Sequence, residues 1–162
     1  MSYKENREWS DGYMPSVKSI LGQAMIKEST FKEDTELGFD LVTPSEKEIA
    51  CRVRDYEKYK YYINEFTIRS KSKYDKRTEI HKILDGCGDW FFYGFTKGDE
   101  VKYWSIINLD VFRNNYENSN CKEMSNPCDG TKFISFKFLT FPPDIIIDSN
   151  IDHKFNNKGI VQ

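Results

Sequence analysis

Asp40 is a single acid set among Phe39, Leu41 and Val42, and it precedes the stretch Ile49-Ala50-Cys51-Arg52-Val53-Arg54. Alternation in that stretch puts Ile49, Cys51 and Val53 on one strand face and Glu48, Ala50, Arg52 and Arg54 on the other. The first face suits a core; the second presents two guanidiniums beside an acid. A second alternating stretch, Glu65 to Lys71, expected as the adjacent strand, sets Glu65, Thr67, Arg69 and Lys71 on a common face, so that Arg52, Arg54 and Arg69 are expected to converge on one surface. Converging carboxylates can hold a divalent cation, and guanidiniums beside them can hold a phosphate, so the pattern is that of a nuclease-like site. An acid among apolar neighbours also fits plain alternation, with Asp40 turned to solvent.

Several elements must position these groups. Pro15 and Ser16 start a helix whose apolar face is Val17, Ile20, Leu21, Ala24 and Met25. Glu28 continues that face and either points an acid inward or lies in solvent at the last turn. Thr78 is suited to cap a short helix carrying Ile80, Ile83 and Leu84 inward, closed by Gly86. The run Asp89 to Thr96 is too aromatic for a surface strand and belongs in the middle of a sheet, and Lys97-Gly98-Asp99-Glu100 turns it back into Val101 to Ile107. Asn108 caps a following helix, and Phe133 to Phe138 is a last strand. The stretches 1–14, 55–64 and 117–131 are expected as an arm and two loops, with a frayed tail from Asp148 to Gln162. The histidines His81 and His153 stand isolated, on a helix surface and in that tail.

Length and composition bound the rest. A chain of 162 residues, 38% apolar and 31% charged, fits one domain with its own core, here about 15–147. The formal charge of −2 excludes a uniformly basic coat but allows a local basic face. Charge is segregated: residues 52–77 hold nine Lys or Arg against four Asp or Glu, whereas residues 1–48 hold six against ten. In the basic stretch Arg52, Arg54, Arg69, Lys71 and Lys73 are interleaved with tyrosines, which suits phosphate contact with base stacking, or else a solvated hairpin packing its own tyrosines. Four cysteines, with Cys51 on a core face, point to a reduced setting inside the cell rather than a disulfide framework. No apolar window approaches a membrane span, so a soluble cytoplasmic protein without a membrane partner is expected.

The order of helix, strand with Asp40, strand, strand, helix and two strands resembles the restriction-endonuclease-like superfamily, the PD-(D/E)xK fold that includes the Holliday-junction resolvases. The resemblance covers about residues 15–116. It implies an α/β fold with a mixed central sheet flanked by helices, Asp40 as the strand-end acid, Glu28 as the helical acid and Mg²⁺ as cofactor. Where that family has Glu-x-Lys this chain has Ala50-Cys51-Arg52, so a carboxylate is missing and the base is an arginine that keeps its proton at neutral pH. Activity would then need Asp40 and Arg52 with Glu28, Glu48 or Glu65, and a metal would fall to Asp40 and Glu65. The segments Ile49–Arg54, Glu65–Arg69 and Thr78–Phe95 also look like a family of small phage and prophage proteins.

Two classes of function follow. One is a phage or prophage protein that binds nucleic acid, DNA rather than RNA, on a nuclease-like fold with weak or lost metal-dependent cleavage. The other is a counter-defence, anti-CRISPR-like protein that blocks a nucleic-acid-processing enzyme in the host bacterial cell, its acidic segment Glu28 to Asp40 imitating phosphates.

Overall fold

A computed structural model describes residues 2–22, 27–28, 33–43, 46–74 and 77–154. Its centre is the run that the sequence marks as too aromatic for a surface. Trp90–Lys97 forms β5, and Phe91 through Thr96 are all buried, because both faces of this strand are covered. The strand Glu48–Asp55, β3, pairs with it in parallel, so that Ala50 faces Phe91, Arg52 faces Tyr93 and Arg54 faces Phe95. On the other side Glu100–Asn108, β6, returns antiparallel through Gly98, whose φ of +66° suits a glycine in the tight turn. With the two-residue strands β1 (Lys27–Glu28) and β2 (Leu41–Val42) at one edge and β9 (Ile146–Ser149) at the other, the order is β1-β2-β3-β5-β6-β9. Among the described residues only the β3–β5 pair of this sheet is parallel. The mixed central sheet with Ile49–Arg54 and Asp89–Thr96 inside it is thus present.

Helices cover one face of this sheet. Tyr3–Asp11 forms α1, opened by Ser2 in a reciprocal capping box with Glu5, and Met14–Leu21 forms α2. They bring Trp9, Tyr13, Val17 and Ile20 onto Leu41, Ile49, Val53, Phe92 and Ile106. The expected N-terminal arm is therefore a helix, started by a local cap that an apolar pattern does not reveal. The helix expected to run to residue 28 stops at Leu21, because Gly22 takes φ +88° and ends it. Ala24 and Met25 lie outside the described residues, and the backbone of Glu28 is in β1 rather than on a helix.

The opposite face is covered by a second sheet and two helices. Glu65–Lys71, β4, pairs with Lys132–Lys137, β8, which pairs with Cys121–Ser125, β7, all antiparallel. Expected beside β3 in one sheet, β4 instead founds this separate one. Its inner face, Phe66 and Ile68 with Phe136, meets Phe91, Phe95 and Ile107 of the large sheet. Glu79–Leu84, α4, follows Thr78 as its cap and contributes Ile80 and Ile83; Leu109–Asn115, α5, capped by the Asn108 side chain, contributes Leu109 and Phe112. Arg113 of α5 donates from Nε to the Ile83 carbonyl at 2.6 Å, satisfying the end of α4. The expected loop at 55–64 holds the single helical turn α3, Tyr56–Tyr59, capped by Asp55 and followed by a 3-10 turn to Tyr62. The expected loop at 117–131 contains β7, whose polar, exposed residues hide an edge strand from a hydrophobic pattern.

The tail is ordered through β9 and on to His153; residues 155–162 lie outside the described part. His153 is half-buried against the Phe138 ring, centroids 4.3 Å apart, with Nε2 2.8 Å from Ser105 Oγ and Nδ1 3.2 Å from Asn64 Oδ1. Burial holds its pKa down at about 4, against a smaller upward pull from Asp152. A folded pKa below the unfolded value means stability present above pH 6.5 and lost as pH falls toward 4. Allowing for partial exposure, that loss is about 1–2 kcal/mol. Urea titrations from about pH 7 to pH 4.5 should show it in the wild type and not in His153→Gln; parallel curves would mean that the ring carries no linked proton.

Candidate functional site

The face of β3 opposite α2 looks toward the second sheet, and its two guanidiniums are drawn in there. Arg52 donates from Nη2 to Glu79 Oε2 at 2.6 Å, with the two side chains only 17% and 20% exposed. The same carboxylate oxygen accepts from the Arg69 backbone N–H at 3.0 Å, so Glu79 joins β3, α4 and β4. Arg54 donates from Nη2 to Thr67 Oγ1 at 2.8 Å, and that hydroxyl lies 3.1 Å from the buried Tyr93 hydroxyl. The Arg54 guanidinium also sits 5.4 Å from the Tyr59 ring centroid. Burial lowers the Arg52 pKa, with Glu79 opposing and the like charges of Arg54 and Arg69 adding to the fall. For Arg54 burial also pulls down, but Tyr93, Tyr59 and Glu79 outweigh it and the net shift is upward. The three arginines therefore share one electrostatic neighbourhood, in which Arg52 is engaged inside the fold rather than displayed.

Asp40 immediately precedes β2. Its backbone N–H donates to the Ile49 carbonyl at 2.8 Å, and its Oδ2 accepts from the Cys51 N–H at 2.6 Å. The side chain is thus turned to β3 and not to solvent. Burial raises its pKa to about 7; the Cys51 N–H opposes this, Asp34 and Glu79 add to it, and Arg52 pulls the other way. Burial and Asp40 together push the Cys51 thiol well above its usual range.

Glu48 and Glu65 make their bonds elsewhere. Glu48 Oε2 accepts from the Gly88 N–H at 3.1 Å, where it holds the turn before β5. Glu65 lies on the second sheet and accepts from Ser135 Oγ at 2.8 Å. The carboxylates whose fields reach Asp40 are Asp34 and Glu79, ion-paired with Arg7 and Arg52 respectively. Among the described residues no group of three or more His, Cys, Asp or Glu is placed to hold a metal ion. Asp40 bonds the Cys51 N–H of β3, whereas Glu65, the other acid expected to hold Mg²⁺, bonds Ser135 within the second sheet.

Lys71 and Lys73 are exposed at the far end of β4, with Lys73 Nζ 5.8 Å from the Tyr74 centroid. Sequence reasoning missed Glu79, which reads as an ordinary first-turn acid behind a capping threonine. It also missed Tyr93, masked within an aromatic core run. The only hint of Glu79 is that an acid directly follows a basic stretch needing a partner.

Fold and site together define an α/β protein in which a mixed six-stranded sheet and a three-stranded antiparallel sheet enclose an arginine–carboxylate network. No family model matches the chain, and no curated relative matches it either. Among the described residues no helix is long and apolar enough to cross a membrane.

Proposed function

We propose that this chain binds nucleic acid on a restriction-endonuclease-like scaffold whose metal-dependent cleavage is weak or lost. The observation that carries the reading is the gathering of Arg52, Arg54 and Arg69 with the Tyr59 and Tyr93 rings, where no group of three or more metal-ligating side chains forms among the described residues. The chain order supports the scaffold: an acid leads into β2, β2 turns into β3, and a crossover containing α4 returns to β5 parallel to β3. Exposed Tyr61 and Tyr74, with Lys58, Lys60, Lys71 and Lys73, extend the basic aromatic surface outward. The acidic stretch is drawn into the fold by Arg7 on Asp34 and by Lys82 on the Thr35 carbonyl, which supports a phosphate-mimicking, counter-defence role less well.

Gel shifts with single-stranded, duplex and branched DNA, with and without Mg²⁺, test this reading. Replacing Arg69, Lys71 and Lys73 by alanine should weaken binding and reduce the log–log salt slope by about one for each phosphate no longer neutralised. No retention of any polymer by the wild type would turn attention to a host defence protein as partner. Incubation with plasmid in Mg²⁺ or Mn²⁺ should leave it intact; cleavage that vanishes in Asp40→Ala would show an active site and overturn the loss of activity.

A further inference from the structure

The face of the second sheet that carries Glu65 and Ser135 is polar, and of its residues Thr67 and Arg69 belong to the arginine network. Its rows follow the strand register: Glu65 opposite Lys137, Thr67 opposite Ser135 opposite Lys122, and Arg69 opposite Phe133 opposite Met124. Within it lies a cavity of about 300 Å³ lined by Tyr62, Glu65, Lys122, Met124, Ser135 and Lys137. Neither the Lys122 nor the Lys137 ammonium is held in an ion pair among the described residues. Tyr62 is 50% exposed on one wall, next to Tyr61 at 85%.

We infer that this cavity takes one unpaired base of a single-stranded nucleic acid, and that the base carries an exocyclic amino group. The inference rests on the nucleic-acid reading and narrows it to a polymer form. The Glu65 carboxylate in the cavity wall is a hydrogen-bond acceptor that repels a phosphate placed directly against it. An amino group of cytosine, adenine or guanine satisfies such an acceptor, whereas thymine and uracil offer only a ring N–H between two carbonyls. Tyr62 supplies a ring for stacking, which every base accepts, and Lys122 and Lys137 meet the phosphates on either side. A duplex cannot present a base face to Tyr62 without unpairing, so the wall and the carboxylate together select an open strand.

Fluorescence anisotropy with labelled oligo-dC, oligo-dT, oligo-rC, oligo-rU and a hairpin duplex tests this with the full chain. The expected result is binding of the C homopolymers about tenfold tighter than the T or U homopolymers and the duplex, with the DNA and RNA arms reading which sugar is preferred. Tyr62→Ala should weaken oligo-dC binding by about tenfold. The pair Lys122→Ala and Lys137→Ala should lower the salt slope on a single strand by about 1.4. Glu65→Gln keeps a partner for Ser135 and should erase the C-over-T preference while the protein still binds. Equal or tighter binding of the duplex, or variants that bind as the wild type does, would overturn the inference and leave the broader nucleic-acid reading standing. If the wild type binds none of the five, both fall.

Discussion

Glu79→Ala should destabilise the protein by about 3 kcal/mol, because it strands the Arg52 guanidinium in a largely enclosed site. Arg52 keeps 17% of its side-chain surface, and among the charges around it Arg54 and Arg69 are of like sign, opposed more weakly by Tyr93. The carboxylate also satisfies the Arg69 backbone N–H, so its removal leaves a donor on β4 without that acceptor. The pair need not be stabilising for this to hold. Most of the expected loss is the penalty of the charge left behind, and replacing both partners with Arg52→Met and Glu79→Leu should recover much of it. Urea unfolding of the two single variants and the double variant closes the cycle. A Glu79→Ala midpoint within error of wild type would mean that Arg52 escapes to water and that the pair holds nothing together.

Asp40→Asn should act in the opposite direction and raise stability at about pH 8 by a few kcal/mol, at most about 4. The asparagine oxygen can still accept from the Cys51 N–H, so the hydrogen bond that anchors Asp40 to β3 survives. What is removed is the cost of an anion beside Asp34 and Glu79 in a buried place. The sign follows from the raised pKa of about 7. Between the unfolded value of 3.8 and about 7 the folded chain keeps a proton that the unfolded chain has given up, so wild-type stability falls as pH rises through that window. The Asp40→Asn advantage should therefore be nearly absent at about pH 4 and full by about pH 8. His153 shifts stability the other way over part of the same range, so difference curves between each variant and the wild type are the measurement. An advantage independent of pH would show that Asp40 ionises as it does in water.

How much of this was legible in the chain depends on the kind of signal. The aromatic run 90–96 declared a strand with two covered faces because nothing in it could face water. Alternation in Ile49 to Arg54 declared which side chains go together, and Thr78 and Asn108 declared two helix starts by the chemistry of a cap. Alternation could not say which sheet Glu65 to Lys71 joins, since a pattern with a period of two fits any neighbour. That single uncertainty displaced Glu65 from Asp40. Glu79 escaped notice because its partner stands 27 residues away and a first-turn acid is ordinary by itself. Gly22 could have ended the first helix on paper, yet the apolar spacing beyond it argued more strongly for continuation.

The parallel pairing of β3 with β5 also sets an order of assembly. The β5–β6 hairpin closes across Gly98 and Asp99 alone, at little loss of chain freedom. Strand β3 meets β5 only after everything from Tyr56 to Asp89, including β4 and α4, has been laid across the sheet. Loop-closure entropy thus favours the hairpin as the template on which β3 later docks, and that docking, with its long sequence separation, governs how fast the chain reaches its native state.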